Sequence, residues 1–189
     1  MQLQQTNYGN NVQQNGGQPT ERKNFPVAKI YGSDGFMDVS MWKSNNNVMY
    51  TVIMPRQKIG QDPNGRTSYE AGLSKDIPNI MMRVDALRAF LLECAGKDPS
   101  TLNFTMVPSP QQAPDAKITV AGATSGVTVT VENKVGTRKV TLNSTPVGDH
   151  NVHANWKNFI EALEVCVKKA LLNRAADEIT NVDGDSTPF

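Results

Sequence analysis

Between residues 116 and 143 apolar and polar side chains alternate at nearly every step, and this period of two dictates a half-buried antiparallel sheet. Ile118, Val120, Val127, Val129, Val131, Val140 and Leu142 fall on one side, with Lys117, Thr119, Thr128, Thr130, Glu132, Lys139 and Thr141 on the other. A slip of one residue would carry every valine to the wrong face, so the register is strongly specified. Residues 116–121, 127–133 and 137–143 read as strands, the last two joined at Lys134-Val135-Gly136, and 101–107 supplies a fourth. Trp156, Ile160, Leu163, Val167, Ala170 and Leu171 then recur at helical spacing and predict an apolar stripe that covers the valine face.

The first half has the same order of elements. Residues 27–32, 36–43 and 47–55 read as strands of an antiparallel meander, with turns at Ser33-Asp34-Gly35 and at 44–46. Residues 56–66 contain Gly60, Asp62, Pro63, Asn64 and Gly65, which predicts a long loop or hairpin tip, and 67–73 reads as a fourth strand. Val84, Leu87, Leu91 and Cys94 follow at helical spacing, with Asp85 near the start and Gly96 placed to stop the helix. The expected fold class is α+β: two antiparallel four-stranded sheets, each followed by a helix, as a pseudo-repeat over 25–98 and 99–176. The repeat is one of element order, since the helices share little beyond Leu91 and Cys94 beside Leu163 and Cys166.

With 189 residues the chain suits one full-sized domain with a real core. Residues 1–24 are dominated by Gln, Asn and Gly, cannot bury enough surface to offset their ordering entropy, and read as a flexible arm. No apolar run approaches the roughly 18 residues of a membrane span. Cys94 and Cys166 each sit in an apolar helical pattern and read as buried thiols, and the start has no signal-peptide core, so a cytoplasmic setting is expected.

The formal net charge of +1 hides an asymmetry. Asp177, Glu178, Asp183 and Asp185 are accompanied by no Lys or Arg after residue 176, which leaves 19 bases against 14 acids before it. The chain is a mildly basic body with an acidic tip, a pattern that points to a charged partner.

Six of the twelve aromatic residues lie between Phe25 and Tyr69, interleaved with Lys29, Lys43, Arg56, Lys58 and Arg66. Phe36 and Trp42 share a parity with Asp38 and Ser40, whereas Met37, Val39 and Met41 form the apolar side. Rings on a polar sheet face beside cations suit unpaired bases, because a ring stacks on any base while Lys or Arg neutralises the phosphates. The expected nucleic-acid contacts are Phe36, Trp42 and Tyr50 by stacking, and Lys43, Arg56, Lys58, Arg66, Lys134, Arg138 and Lys139 on phosphates.

No phosphate-cradling Gly-rich loop and no Gly-x-Ser-x-Gly elbow occurs, and the two histidines, His150 and His153, lie in one loop, so no enzymatic site is expected. Zinc needs three or four ligands, and no Cys or second His pair is near that loop, so no metal or other cofactor is assigned. A small metal protein using this loop and a structural or phage assembly protein are the rival readings.

The chain ends Asp183-Gly184-Asp185-Ser186-Thr187-Pro188-Phe189, acids followed by a Pro and a terminal Phe. This resembles the C-terminal tip of bacterial single-stranded-DNA-binding proteins, which recruits replication and repair enzymes. The resemblance implies that Asp183, Asp185, Pro188 and Phe189 dock such enzymes. The doubled order of strands and helix over residues 25–175 looks like the Whirly fold and the related positive-cofactor-four coactivators. There is no copy of the Lys-Gly-Lys-Ala-Ala-Leu motif of plant Whirly proteins, so no residue is carried over. The two resemblances together imply a phage or bacterial protein that binds single-stranded DNA in replication, recombination or repair, as a homo-oligomer and away from membranes. The alternative architecture closes the strands into an oligonucleotide-binding (OB-fold) barrel with a C-terminal helix.

Overall fold

The computed structural model describes residues 24–72, 75–143 and 154–182. In chain order β1 (Asn24–Tyr31), β2 (Gly35–Lys43), β3 (Met49–Gln61) and β4 (Thr67–Tyr69) form an antiparallel meander. A short β5 (Ile80–Arg83) returns to pair with the first half of β3 and runs straight into α1 (Val84–Cys94). A 3-10 turn at Pro99–Thr101 leads into a second meander, β6 (Asn103–Met106), β7 (Lys117–Ala123), β8 (Gly126–Asn133) and β9 (Gly136–Asn143). The last described element is the long α2 (Ala154–Val182). The protein is thus α+β with two antiparallel sheets, and the described strands fall in two separate sheets instead of one closed barrel.

Each sheet turns one face inward. In the first, Val39, Ile53 and Ile80 lie in register, as do Met41, Thr51 and Met82, and all six are buried. In the second, Phe104, Val120, Val129 and Val140 lie in register on the inner side. Thr105, Thr119, Thr130 and Lys139 line up on the outer side, with the Thr105 and Thr119 hydroxyls 2.9 Å apart. The alternation read over 116–143 therefore sorts the residues as expected.

Both inner faces converge on the two helices in one continuous core. Phe90 of α1 meets Phe104 of β6 at 5.5 Å and Phe159 of α2 at 6.4 Å, so aromatic edge contacts join the halves. α2 packs on β1, β2 and β3 of the first sheet as well as on β9, and so does not cover its own sheet alone. Its buried stripe runs through Trp156, Phe159, Leu163, Cys166 and Ala170. Ile160 and Val167 of the expected stripe are half-buried because they line a hollow between α2 and α1, and Leu171 is exposed.

Further differences from the sequence reading concern β3, β5, β4 and β6. β3 does not stop at residue 55 but continues to Gln61, and the hairpin tip shrinks to five residues closed by the Asp62 carboxylate, which accepts the Asn64 and Arg66 N–H groups. Pro55 is tolerated within β3 because it falls after β5 has ended at Ile53 and before β4 begins at Lys58. β5 was not foreseen: four residues abutting a helix are too few to stand out, although Ile80 and Met82 are buried and Met81 and Arg83 exposed. β4 covers Thr67–Tyr69 only, and β6 begins after the 3-10 turn that occupies 99–101.

The sheets are tied to each other through polar contacts. The Asp34 carboxylate, in the β1–β2 turn, accepts the Thr141 N–H at 2.8 Å, and the Ser33 N–H reaches the Thr141 carbonyl at 3.0 Å. A Cβ on Gly32 would land on that same carbonyl oxygen, so this close approach requires glycine. Glu70 and Arg138 form the second tie, and Asn133 donates to the Asn79 carbonyl at 2.9 Å in a third.

Candidate nucleic-acid interface

The outer face of the first sheet is assembled by register. Trp42 pairs with Tyr50 at one end, Asp38 with Lys29 and Met54 in the middle, and Phe36 with Tyr31 and Arg56 at the other end. Trp42 and Tyr50 are both half-buried, with ring centroids 5.5 Å apart and planes tilted by 42°. Such a pair presents aromatic surface to solvent at one end of the two strands.

At the other end Phe36 lies inside a triad, 5.4 Å from Tyr31 and 5.1 Å from Tyr69, with the Lys29 ammonium 5.5 Å from its ring centre. Phe36 is only 6% exposed, so the ring named as a stacking platform is covered by its neighbours. Tyr31, at 51% exposure, is the ring that this end offers to a ligand. It shares the face because Tyr31 pairs directly with Phe36 across the β1–β2 turn, in a register that runs unbroken from Ala28 to Tyr31.

The cations divide by what already holds them. Arg56 lies 3.5 Å from the Asp38 carboxylate and donates to the carbonyls of Glu70 and Gly72, so it acts as an internal strut. Arg138 pairs with Val131 and therefore belongs to the inner side of β9. Its guanidinium grips both carboxylate oxygens of Glu70 at 2.8 to 3.1 Å. That hydrogen bonding, more than any other cause, holds the Glu70 carboxyl below the usual carboxylate range and raises the Arg138 guanidinium. Both arginines were named as phosphate contacts, but local sequence gave no sign of partners 14 and 68 residues away.

Lys58, Arg66, Lys134 and Lys139 are exposed and Lys43 is half-buried; none of the five forms an ion pair among the described residues. Lys58 and Arg66 belong to the β3–β4 hairpin, Lys134 to the β8–β9 turn, and Lys139 to the outer threonine face of the second sheet.

Three of the named residues meet around one groove of about 430 Å³, where Trp42 and Tyr50 from the first sheet face the β6–β7 loop and Lys134. Met81, Pro108, Ala113 and Pro114 add to its apolar lining, and none of these four is assigned to a site by the sequence reading. The larger hollow, about 640 Å³, lies between α1 and α2 and offers Leu91, Leu92, Ile160 and Val167 but no exposed aromatic ring.

The tip residues Asp183, Asp185, Pro188 and Phe189, the loop with His150 and His153, and the arm to residue 23 lie outside the described residues. Among the described residues no three His, Cys, Asp or Glu side chains are placed to hold a metal, and no helix is long and apolar enough to cross a membrane. Cys94 and Cys166 are buried free thiols, and burial pushes Cys94 up to about 12 and Cys166 upward as well.

No protein-family model, curated protein or solved structure matches this chain.

Proposed function

We propose that this protein is a non-enzymatic binder that coats single-stranded DNA with little sequence preference, in replication, recombination or repair. The observation that carries the reading is the Trp42–Tyr50 ring pair on an outer sheet face, with exposed Lys134 across the groove beside it. Rings stack on any base, and cations from hairpin tips neutralise the backbone, so affinity without base reading follows. Lys43, Lys58, Arg66 and Lys139 supply further positive charge outside the lining of this groove. The order of two antiparallel sheets, each leading into a helix, supports the likeness to the Whirly fold. The acidic tip ending in Pro188-Phe189 would recruit replication or recombination enzymes and compete with DNA for the basic surface.

The test is a gel-shift series with labelled oligo-dT, duplex DNA and RNA at two salt concentrations. Preferential binding of oligo-dT that weakens with salt is expected. No binding at low salt, or binding indifferent to salt, overturns the reading.

A second reading, a self-assembling structural protein, is favoured by one observation: Leu92 and Leu172 are 74 and 70% exposed on the helices. A homo-oligomer through these helices is compatible with DNA binding, whereas large ordered assemblies in sedimentation without nucleic acid would favour the structural role.

A further inference from the structure

We infer that the groove between Trp42–Tyr50 and the β6–β7 loop receives one unstacked nucleobase, inserted between the two halves of the fold, with its phosphate left outside near Lys134. The inference rests on the single-strand reading and adds to it a discrete site with a defined occupant. At about 430 Å³ the groove falls within the range of small-ligand sites, about 300–1,000 Å³.

Its walls are built in advance. The Ala113 N–H bonds the Ser109 carbonyl at 2.8 Å and the Ala116 N–H bonds the Ala113 carbonyl at 3.1 Å, two successive turns that hold Pro108 and Pro114 in place. Opposite them stand the tilted Trp42 and Tyr50 rings and the exposed Met81. Aromatic and proline faces with a thioether suit a flat, uncharged heterocycle.

The polar groups set the direction in which a nucleotide lies. Asn133 is already engaged: its amide donates to the Asn79 carbonyl and its oxygen accepts the Val135 N–H, each at 2.9 Å. Besides the neutral Asn79, Ser109 and Gln112, the lining holds one cation, Lys134, and one carboxylate, Asp115. A phosphate is drawn to the first and repelled by the second, so the sugar-phosphate backbone crosses the Lys134 side and the base enters between the rings and the prolines.

Thymidine, an uncharged nucleoside, isolates the base contact from the phosphate contact. In 15N-labelled protein the Trp42 and Trp156 indole N–H signals report separately, and Trp156 is buried at 7% exposure in the helix layer. Saturable displacement of the Trp42 signal alone by thymidine, with deoxyribose 5-phosphate inert, is the expected result. Ala113→Leu fills the groove from the loop side and leaves both rings unsubstituted. With its native spectrum otherwise intact, this variant should lose the thymidine response and bind oligo-dT about 5- to 150-fold more weakly, the span of one lost base contact.

If oligo-dT binds but thymidine leaves Trp42 unmoved, the groove is not a base site, and the single-strand reading survives without it. Failure of both ligands removes both readings. A thymidine response that persists in Ala113→Leu, or a Trp42 response to N-acetyl-tryptophanamide in place of thymidine, also overturns the inference, the latter in favour of an aromatic peptide side chain.

Discussion

Arg138 and Lys139 are neighbours on opposite faces of β9, and neutralising each should register in a different assay. Arg138 makes three N–H contacts with one carboxylate, and a hydrogen bond to a charged group contributes about 1.5–3 kcal/mol. Severing a fully buried pair costs about 3–5 kcal/mol. Here the side chains keep 32 and 19% of their exposure, which lowers the figure. Arg138→Met should therefore cost about 1.5–3 kcal/mol, or about 3–12 °C in Tm for a chain of this size.

The dependence on pH follows from Glu70, whose carboxyl is held low first by the Arg138 hydrogen bond. A depressed acid contributes stability fully above its unfolded value, about 4.3, and loses it as pH falls through the folded value. The stability gap between the parent protein and Arg138→Met should be full at pH 7 and close on the acid side of about pH 4. Lys139→Met, in contrast, should change stability by no more than about 0.5 kcal/mol. It should lower the slope of log affinity for oligo-dT against log salt by about 0.7, the release from one phosphate of a single strand. Denaturation scans at several pH values and a salt titration test the pair. An unchanged Tm for Arg138→Met, or a slope that drops for Arg138→Met and not for Lys139→Met, would refute the assignment of the two faces.

Trp42→Ala should weaken oligo-dT binding by about 1–3 kcal/mol with little change in Tm; an unaltered affinity in a fluorescence titration would remove the ring pair from the interface. Phe36→Ala should act mainly on stability, by about 3 kcal/mol, because the ring is covered by Tyr31 and Tyr69; a larger effect on DNA affinity than on Tm in paired assays would contradict that placement. Cys94 and Cys166 should react with a thiol reagent at pH 8 only after unfolding, and fast stoichiometric labelling of the native protein would show that their burial has been misjudged. Removing residues 177–189 takes away four acids and no base, so oligo-dT affinity should rise at low salt and the gain should fade at high salt; equal affinity at both would end the proposed competition.

Much of the fold was legible because the signals for it are local. The alternation over 116–143 specifies which side chains point inward without reference to any other part of the chain, and the observed registers follow it. The helix over Val84–Cys94, stopped by Gly96 at a φ of 68°, is equally local. What escaped was whatever depended on a distant partner: β5, recognisable only through its pairing with β3, and the rotation of the α2 stripe toward Phe159, set by the helix and sheet that pack on it.

The candidate site divides in the same way. Parity alone put Trp42 on the polar side of its strand, and charge counting alone separated a basic body from an acidic tip. Parity could not tell that Phe36, on the same side, would be roofed by Tyr31 and Tyr69, nor that Arg56 and Arg138 would be held by Asp38 and Glu70. The groove exists only because the β6–β7 loop and Lys134 fold back over β2 and β3, more than 50 residues away along the chain. Periodicity states which face a side chain takes; only tertiary packing decides what covers that face, because long-range contacts leave no periodic trace in either of the segments they join.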